Sequence, residues 1–330
     1  MMIVYVLPHA NLCGGVKVIA EHVTGLCARG HTAEVWGLTG DFGWFPRHVP
    51  HRHFPSTDDL GAALRVTRAA KVATFWITAS WIPPNLMEGE NGFYLVQDED
   101  ELTYGGSTHG SSYKLGLVNI TEGEFVTNEI ERKHGVKCHN VGIGIDHAVF
   151  KPLPFIRERK RVLTPARTTS AGPAGLKGWD VALESLRIVA ARDPEASLVT
   201  FGVEDVPSVG FMPHVHLRHP SDRKLRELYS QSGVFLSCSR HEGFGLPQLE
   251  AMACGCPTVC TDAHGNREYA RNEETSLMSG HEPERIAENI LRVLREPDLA
   301  SRLSTAGIGE ASRYRWAPVI ERLERILTAD

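Results

Sequence analysis

The chain has 330 residues, of which 42% are hydrophobic and 23% charged. At roughly 150 residues per domain this is about two ordinary globular domains, and the composition excludes a disordered or fibrous chain. Forty acidic against thirty-five basic residues leave a net charge of -5, which argues against a nucleic-acid binder that depends on a broad positive field.

The N-terminal apolar run stops at Pro8 and no stretch approaches about 18 apolar residues, so neither a signal peptide nor a membrane-spanning helix is expected. The seven cysteines (13, 27, 138, 238, 254, 256 and 260) are odd in number and mostly fall inside apolar patterns. That is how reduced, buried thiols are distributed, and a cytoplasmic location is expected from it.

Ile3 to Leu7 reads as a strand ended by Pro8, followed by Gly14-Gly15 and then by Val16, Ile19, Ala20, Val23 and Leu26 at helical spacing. Gly30-His31 closes that helix and Ala33 to Leu38 restarts a strand, which makes a βαβ unit. Further strands are expected at Val72 to Thr78, Phe93 to Val96, Gly116 to Ile120 and His139 to Ile143, with a mobile Gly/Ser loop from Gly105 to Ser112. Periodicity lapses around Lys151 to Pro154 and the charged Arg157 to Arg161, where an interdomain linker is expected. Strands then follow at Val162 to Pro165, Ser197 to Phe201, His214 to Leu217, Val234 to Ser237 and Thr258 to Thr261. Helices are expected at Trp179 to Ala191, Asp222 to Ser232 and Pro247 to Ala253, and two longer ones, Glu282 to Arg295 and Ala317 to Leu327, end the chain. Alternation in both halves predicts an α/β protein with two parallel, doubly wound sheets.

The most informative segment runs from His241 to Ala253. Pro247 suits the first position of a helix, so Glu242 to Leu246 form the loop before it and Glu250 lies in or just past its first turn. Two glycines let the loop approach a ligand, and the helix N-terminus offers N–H groups and positive dipole to a phosphate. Glu250 has the charge to accept two hydrogen bonds from a vicinal diol such as a ribose. An ordinary capped strand-turn-helix would not need both glycines and the second glutamate.

The run E-G-F-G-L-P-x-x-E-A-M-A-x-G-x-P, Glu242 through Pro257, resembles the E-x7-E signature of the retaining nucleotide-sugar glycosyltransferases of family 4, and the likeness extends through Gly265 and Glu268. Gly14-Gly15 is similar to that family's phosphate-approaching loop. Gly144-Ile145-Asp146 with Phe150-Lys151-Pro152 resembles its domain-junction run. The resemblance implies the GT-B architecture, two Rossmann-like domains facing across a cleft: an acceptor-binding domain 1-150, a nucleotide-sugar domain 151-310, and a helix 311-330 returning to the first. Trp316, Val319, Ile320, Leu323 and Ile326 could form the apolar face of that helix.

By the same resemblance Glu242 contacts donor-sugar hydroxyls, Phe244, Gly245 and Leu246 present backbone groups, Glu250 holds the ribose, and Gly14, Gly15, Arg167 and Lys177 meet the diphosphate. Arg167 after a strand and Lys177-Gly178 opening a helix belong at the carboxyl edge of a sheet, where fixed cations stabilise a departing diphosphate. The family usually spaces them more closely than Thr168 to Leu176 does here. Gln97-Asp98 stands where many members have His-Asp; Gln97 can hydrogen-bond a hydroxyl but is no base. Asp98 and Asp100 are candidates for acceptor hydroxyls, and the run Asp98 to Glu101 reads equally well as a solvated turn.

His48, His51 and His53, the trio His214, His216 and His219, and Cys254, Cys256 and Cys260 have spacings that a metal could use, yet read better as structural residues. The expectation is a metal-independent retaining transferase with no bound cofactor, a nucleotide-sugar donor, a glycan or small-molecule acceptor and no nucleic-acid partner. Peripheral membrane contact and oligomeric state stay open. So do an epimerase or phosphorylase on the same fold and a non-catalytic nucleotide-sugar binder.

Overall fold

A computed structural model describes residues 1–104, 109–168 and 172–329. The chain divides into two compact units: Met1–Gly144 with Trp316–Asp330, and Ile145–Arg315. The first junction falls six residues before Lys151, because Ile145 donates its N–H to Tyr314 O and Phe150 packs on Tyr229, all within the second unit.

The first unit holds seven parallel strands: β1 (Met2–His9), β2 (Thr32–Thr39), β3 (His51–His53), β4 (Ala70–Ala73), β5 (Gly92–Val96), β6 (Val118–Thr121) and β7 (Cys138–Asn140), in the order β3-β2-β1-β4-β5-β6-β7. The second holds six, also parallel: β8 (Glu158–Pro165), β9 (Ser197–Gly202), β10 (His214–Arg218), β11 (Ser232–Ser237), β12 (Thr258–Thr261) and β13 (Leu277–Ser279), in the order β10-β9-β8-β11-β12-β13. The central strands of the first unit are largely buried, as β1 and β5 show, because helices cover both faces, and even Lys71 on β4 is buried, paired with Glu90.

Helix Trp316–Leu327 completes the first unit. Val319, Ile320, Leu323 and Leu327 are buried on it, joining Val16, Ile19, Ala20 and Val23 of helix Gly14–Ala28, while Ile326 is only partly covered. The two helices approach closely at Gly25, where a Cβ would lie 2.7 Å from Ile320.

Several elements differ from expectation. The strand predicted to reach Thr78 stops at Ala73, since Thr78 Oγ1 accepts from the N–H groups of Thr74 and Phe75 and starts a helical turn, Trp76–Ala79. The charged run Arg157 to Arg161 is mostly strand: β8 begins at Glu158, and its charged residues occupy the exposed end. Helix Leu246–Ala253 begins one residue before Pro247. Between the two expected last helices lies a third, Pro297–Ala311, started by a proline that ends its predecessor. Of the predicted Gly/Ser loop, 105–108 lies outside the described residues, and its end enters the 3-10 helix His109–Lys114. No described helix is long and apolar enough to cross a membrane.

Candidate active site

In a doubly wound sheet the chain reverses its direction of travel once, and ligands bind beyond the carboxyl ends of the two strands flanking that point. In the second unit these are β8 and β11. Beyond β11, Ser239 to Glu242 carry a set of polar bonds. Glu242 Oε2 accepts from Lys177 Nζ at 2.7 Å and Oε1 from Ser239 Oγ at 2.7 Å. The Glu242 backbone is pinned at both ends, N–H to Ala263 O at 3.0 Å and O from Gly265 N at 3.1 Å. Gly265 has no room for a side chain, because a Cβ would meet Gly243 O at 2.1 Å.

Lys177 ends the 3-10 turn Gly172–Lys177, and Gly178 caps the next helix, Trp179–Arg192, in a left-handed conformation (φ +63°). A Cβ on Gly178 would stand 1.9 Å from Cys238 O, so glycine is required for the turn to lie against the end of β11. Arg240 holds the same turn. Its N–H bonds Leu176 O at 2.7 Å, and its guanidinium bonds Gly175 O at 3.2 Å and Asp180 through two nitrogens at 2.8 and 2.6 Å. The hydrogen bond with Asp180 raises the Arg240 pKa, and Arg240 in turn keeps the Asp180 carboxyl below its usual range. Sequence reasoning missed both Arg240 and Ser239; the adjacency of Ser239-Arg240 to Glu242 was the only signal.

Helix Leu246–Ala253 starts from Gly245 (φ +95°), with no side-chain cap and no acid in its first turn, so its positive end is left for a ligand. Tyr269 Oη locks the preceding loop by donating to Phe244 O (3.1 Å) and Gly245 O (2.7 Å). The Phe244 ring packs on Tyr269 and Tyr314, which leaves backbone groups as what this residue can offer. Glu250 is only 4% exposed and accepts from Tyr229 Oη at 3.3 Å. Arg167 lies just past β8, half-buried, with no hydrogen bond or ion pair among the described residues.

In the first unit the reversal lies between β1 and β4. Gly14-Gly15 begins the helix after β1, again without a side-chain cap. Space around Gly14 is open, whereas a Cβ on Gly15 would lie 2.5 Å from Gln97 Oε1. Gln97 Nε2 donates to Gly15 O at 3.1 Å and to both oxygens of Glu122 at 3.2 Å. Glu122 was not singled out from sequence. It follows β6 in a Thr-Glu-Gly turn that looks solvated, yet it is buried, and burial pushes its pKa up to about 8 against the pull of the Gln97 hydrogen bond.

Asp98, Glu99 and Asp100 run in the D-x-D order that metal-dependent sites use, a spacing passed over in the sequence. Here Asp98 accepts from Glu99 N and Thr103 Oγ1, both at 2.8 Å, and Glu99 accepts from Leu102 N at 2.9 Å and Lys133 Nζ at 3.2 Å. Both thus serve the start of helix Asp100–Tyr104. Among the described residues, Glu99, Glu101 and His134 are the one group whose ligand atoms gather within 4.8 Å, and the Lys133 ammonium already serves Glu99. Elsewhere, Thr200 Oγ1 pairs with His214 at 2.8 Å and His216 at 2.9 Å. Cys254, Cys256 and Cys260 are buried free thiols, raised in pKa by burial.

Two parallel doubly wound units define the GT-B class, and solved structures of that class share the fold. The sucrose-phosphate synthase of Thermosynechococcus elongatus matches with a TM-score of 0.81 at 16% identity over 98% of each chain. Anabaena HepE, solved with UDP-glucose, matches with a TM-score of 0.81 at 13% identity over 99% of each. Residues 174–309 match the family described as glycosyl transferases group 1. The D-inositol 3-phosphate glycosyltransferase of Thermobispora bispora is 28% identical over 211 residues, 57% of this chain and 49% of that protein. The chain thus carries a group 1 glycosyltransferase segment, residues 174–309. It spans about half the length of the curated relatives it matches.

Proposed function

We propose that this chain moves a sugar from a nucleotide-diphosphate-sugar to an acceptor hydroxyl, with retention at the anomeric carbon and without a metal ion. The observation that carries the reading is the Lys177–Glu242 pair, set at a strand reversal beside an uncapped helix N-terminus. Lys177 is 39% exposed, so an incoming diphosphate can take its ammonium from Glu242, freeing that carboxylate for sugar hydroxyls. Arg167, without a partner of its own among the described residues, supplies a second cation, and Glu250 the ribose contact.

As the anomeric C–O bond to the diphosphate breaks, negative charge grows on the leaving oxygen, and fixed cations with a helix dipole stabilise it. The acceptor oxygen bonds to the same face of the anomeric carbon and passes its proton to a leaving phosphate oxygen. Within the first unit, Gly14-Gly15 offers backbone N–H groups suited to a phosphate, and Gln97 and Asp98 serve the acceptor. The free state of all seven cysteines supports a cytoplasmic setting.

The test incubates purified protein with UDP-, GDP- and dTDP-sugars and an acceptor panel, reading products by mass spectrometry and anomeric configuration by NMR. UDP-glucose is the first donor to try, since HepE was solved with it. Retained configuration and indifference to EDTA are expected. Inverted product, or activity abolished by chelation and restored by Mg2+ or Mn2+, overturns the respective part. Turnover of donor alone would indicate an epimerase, phosphate-dependent turnover a phosphorylase, and binding without turnover a non-catalytic binder.

A further inference from the structure

The amide of Gln97 is held in one orientation. One hydrogen of Nε2 goes to Gly15 O, and the other is shared between the two oxygens of Glu122. A flipped amide would set oxygen against the Gly15 carbonyl, so this orientation is forced. Both donor hydrogens are thereby consumed, and among the described residues Oε1 is left to accept, standing over Gly15 where even a methyl group would meet it. A carbonyl of this kind offers nothing to a phosphate and accepts from a hydroxyl.

We propose that Glu122 is a positioning residue: by fixing the Gln97 amide it turns Oε1 into an acceptor-only site that selects a substrate hydroxyl. This rests on the transferase reading above. The geometry also separates the two glycines of the first loop, Gly14 being replaceable in space and Gly15 not.

Burial disfavours the charged form of Glu122 and pushes its pKa up to about 8. Tyr5 on β1, whose own pKa is raised by burial and by Glu122, is the ionisable group coupled to it. Tyr5 Oη lies 3.5 Å from His22 Nδ1, and burial lowers the His22 pKa to about 3, so neither neighbour carries charge at neutral pH. Ionisation of Glu122 as pH passes about 8 is opposed by its burial and favoured by the Gln97 Nε2 hydrogen bonds, which tighten on a carboxylate.

The test compares Glu122→Gln, Glu122→Leu, Gln97→Leu and the double variant Glu122→Leu/Gln97→Leu in the full chain, with thermal melting as a fold control. Glu122→Gln keeps an oxygen for Gln97 and carries no ionisable proton; it should retain kcat/KM for the acceptor within a few-fold and lose any alkaline limb near pH 8. Glu122→Leu should fold yet lose roughly tenfold or more in acceptor kcat/KM, as an orphaned amide does. The double variant should then be no worse than Gln97→Leu alone. Wild-type-like turnover in Glu122→Leu, or fully additive losses, overturns the inference while leaving the transferase reading intact. Failure of the wild-type chain to transfer from any donor would instead remove the reading on which it rests.

Discussion

The two strand reversals solve the same problem with opposite physics. Beyond β11 the site is ionic and half open: Lys177 and Glu242 are charged, solvent-touched and able to exchange partners. In the first unit the comparable place lies beyond β5 and β6, past the β1–β4 reversal, where Gln97 is held by buried Glu122, whose charged form burial disfavours. An exposed pair contributes little to stability but can be reassigned to a ligand at small expense, whereas a buried uncharged network contributes orientation and resents any new charge.

The sharpest way to break the contrast is Lys177→Ala. If the ammonium stabilises charge that appears only as the leaving group departs, kcat should fall by about 10²- to 10³-fold while donor binding changes far less. Steady-state kinetics with isothermal titration of the nucleoside diphosphate would decide it, a change in KM alone moving the catalytic role elsewhere. Arg240→Ala comes next. It removes the guanidinium that ties down the Lys177 turn, and misplacement of the lysine should lower kcat by roughly ten- to a hundredfold with Lys177 still present. An unchanged kcat would make Arg240 a surface ion pair only.

The neutral side is tested by pH. The unfolded chain releases the Glu122 proton near its ordinary pH of 4.5, while the folded chain keeps it up to about 8. Stability should therefore decline as pH climbs through that window and level off above it. Urea titrations of Glu122→Gln between pH 5 and pH 8 should show a shallower decline than wild type, and parallel curves would refute the buried neutral acid. His22 acts at the other end: its folded pKa of about 3 lies below the ordinary 6.5, so stability it contributes is lost as pH falls between those values. The smallest effect is expected for Gly14→Ala, where added bulk meets nothing. Unfolding free energy should move by less than about 0.5 kcal/mol, and a rise in donor KM without loss of stability would mark direct approach of that backbone to phosphate.

Legibility in the sequence followed the range of the interactions. The loop Glu242 to Leu246 could be read because its glycines, the proline that follows and both glutamates sit within nine consecutive residues, Glu242 to Glu250. Arg240 escaped because its partners, Gly175, Leu176 and Asp180, are some sixty residues away and only the β8–β11 pairing brings them near. Glu122 escaped for a similar reason: a glutamate between Thr and Gly looks solvated until the register of β6 beside β5 sets it next to Gln97. Helix Thr57–Val66 was overlooked although Ser56 accepts from Asp59 N as an N-cap, and helix Glu124–His134 although Gly135 ends it in a left-handed conformation. Both are short and polar, so few apolar residues marked their period.

The return of helix Trp316–Leu327 to the first unit has a consequence for how the chain is made. The second unit is continuous, Ile145–Arg315, and is inserted into a first unit whose sequence is interrupted. Without Val319, Ile320 and Leu323 the apolar side of helix Gly14–Ala28 is uncovered, whereas the inserted unit has all of its own sequence. A released chain truncated after Arg315 should hold a protease-resistant second unit and a first unit that is cut readily within Gly14–Ala28.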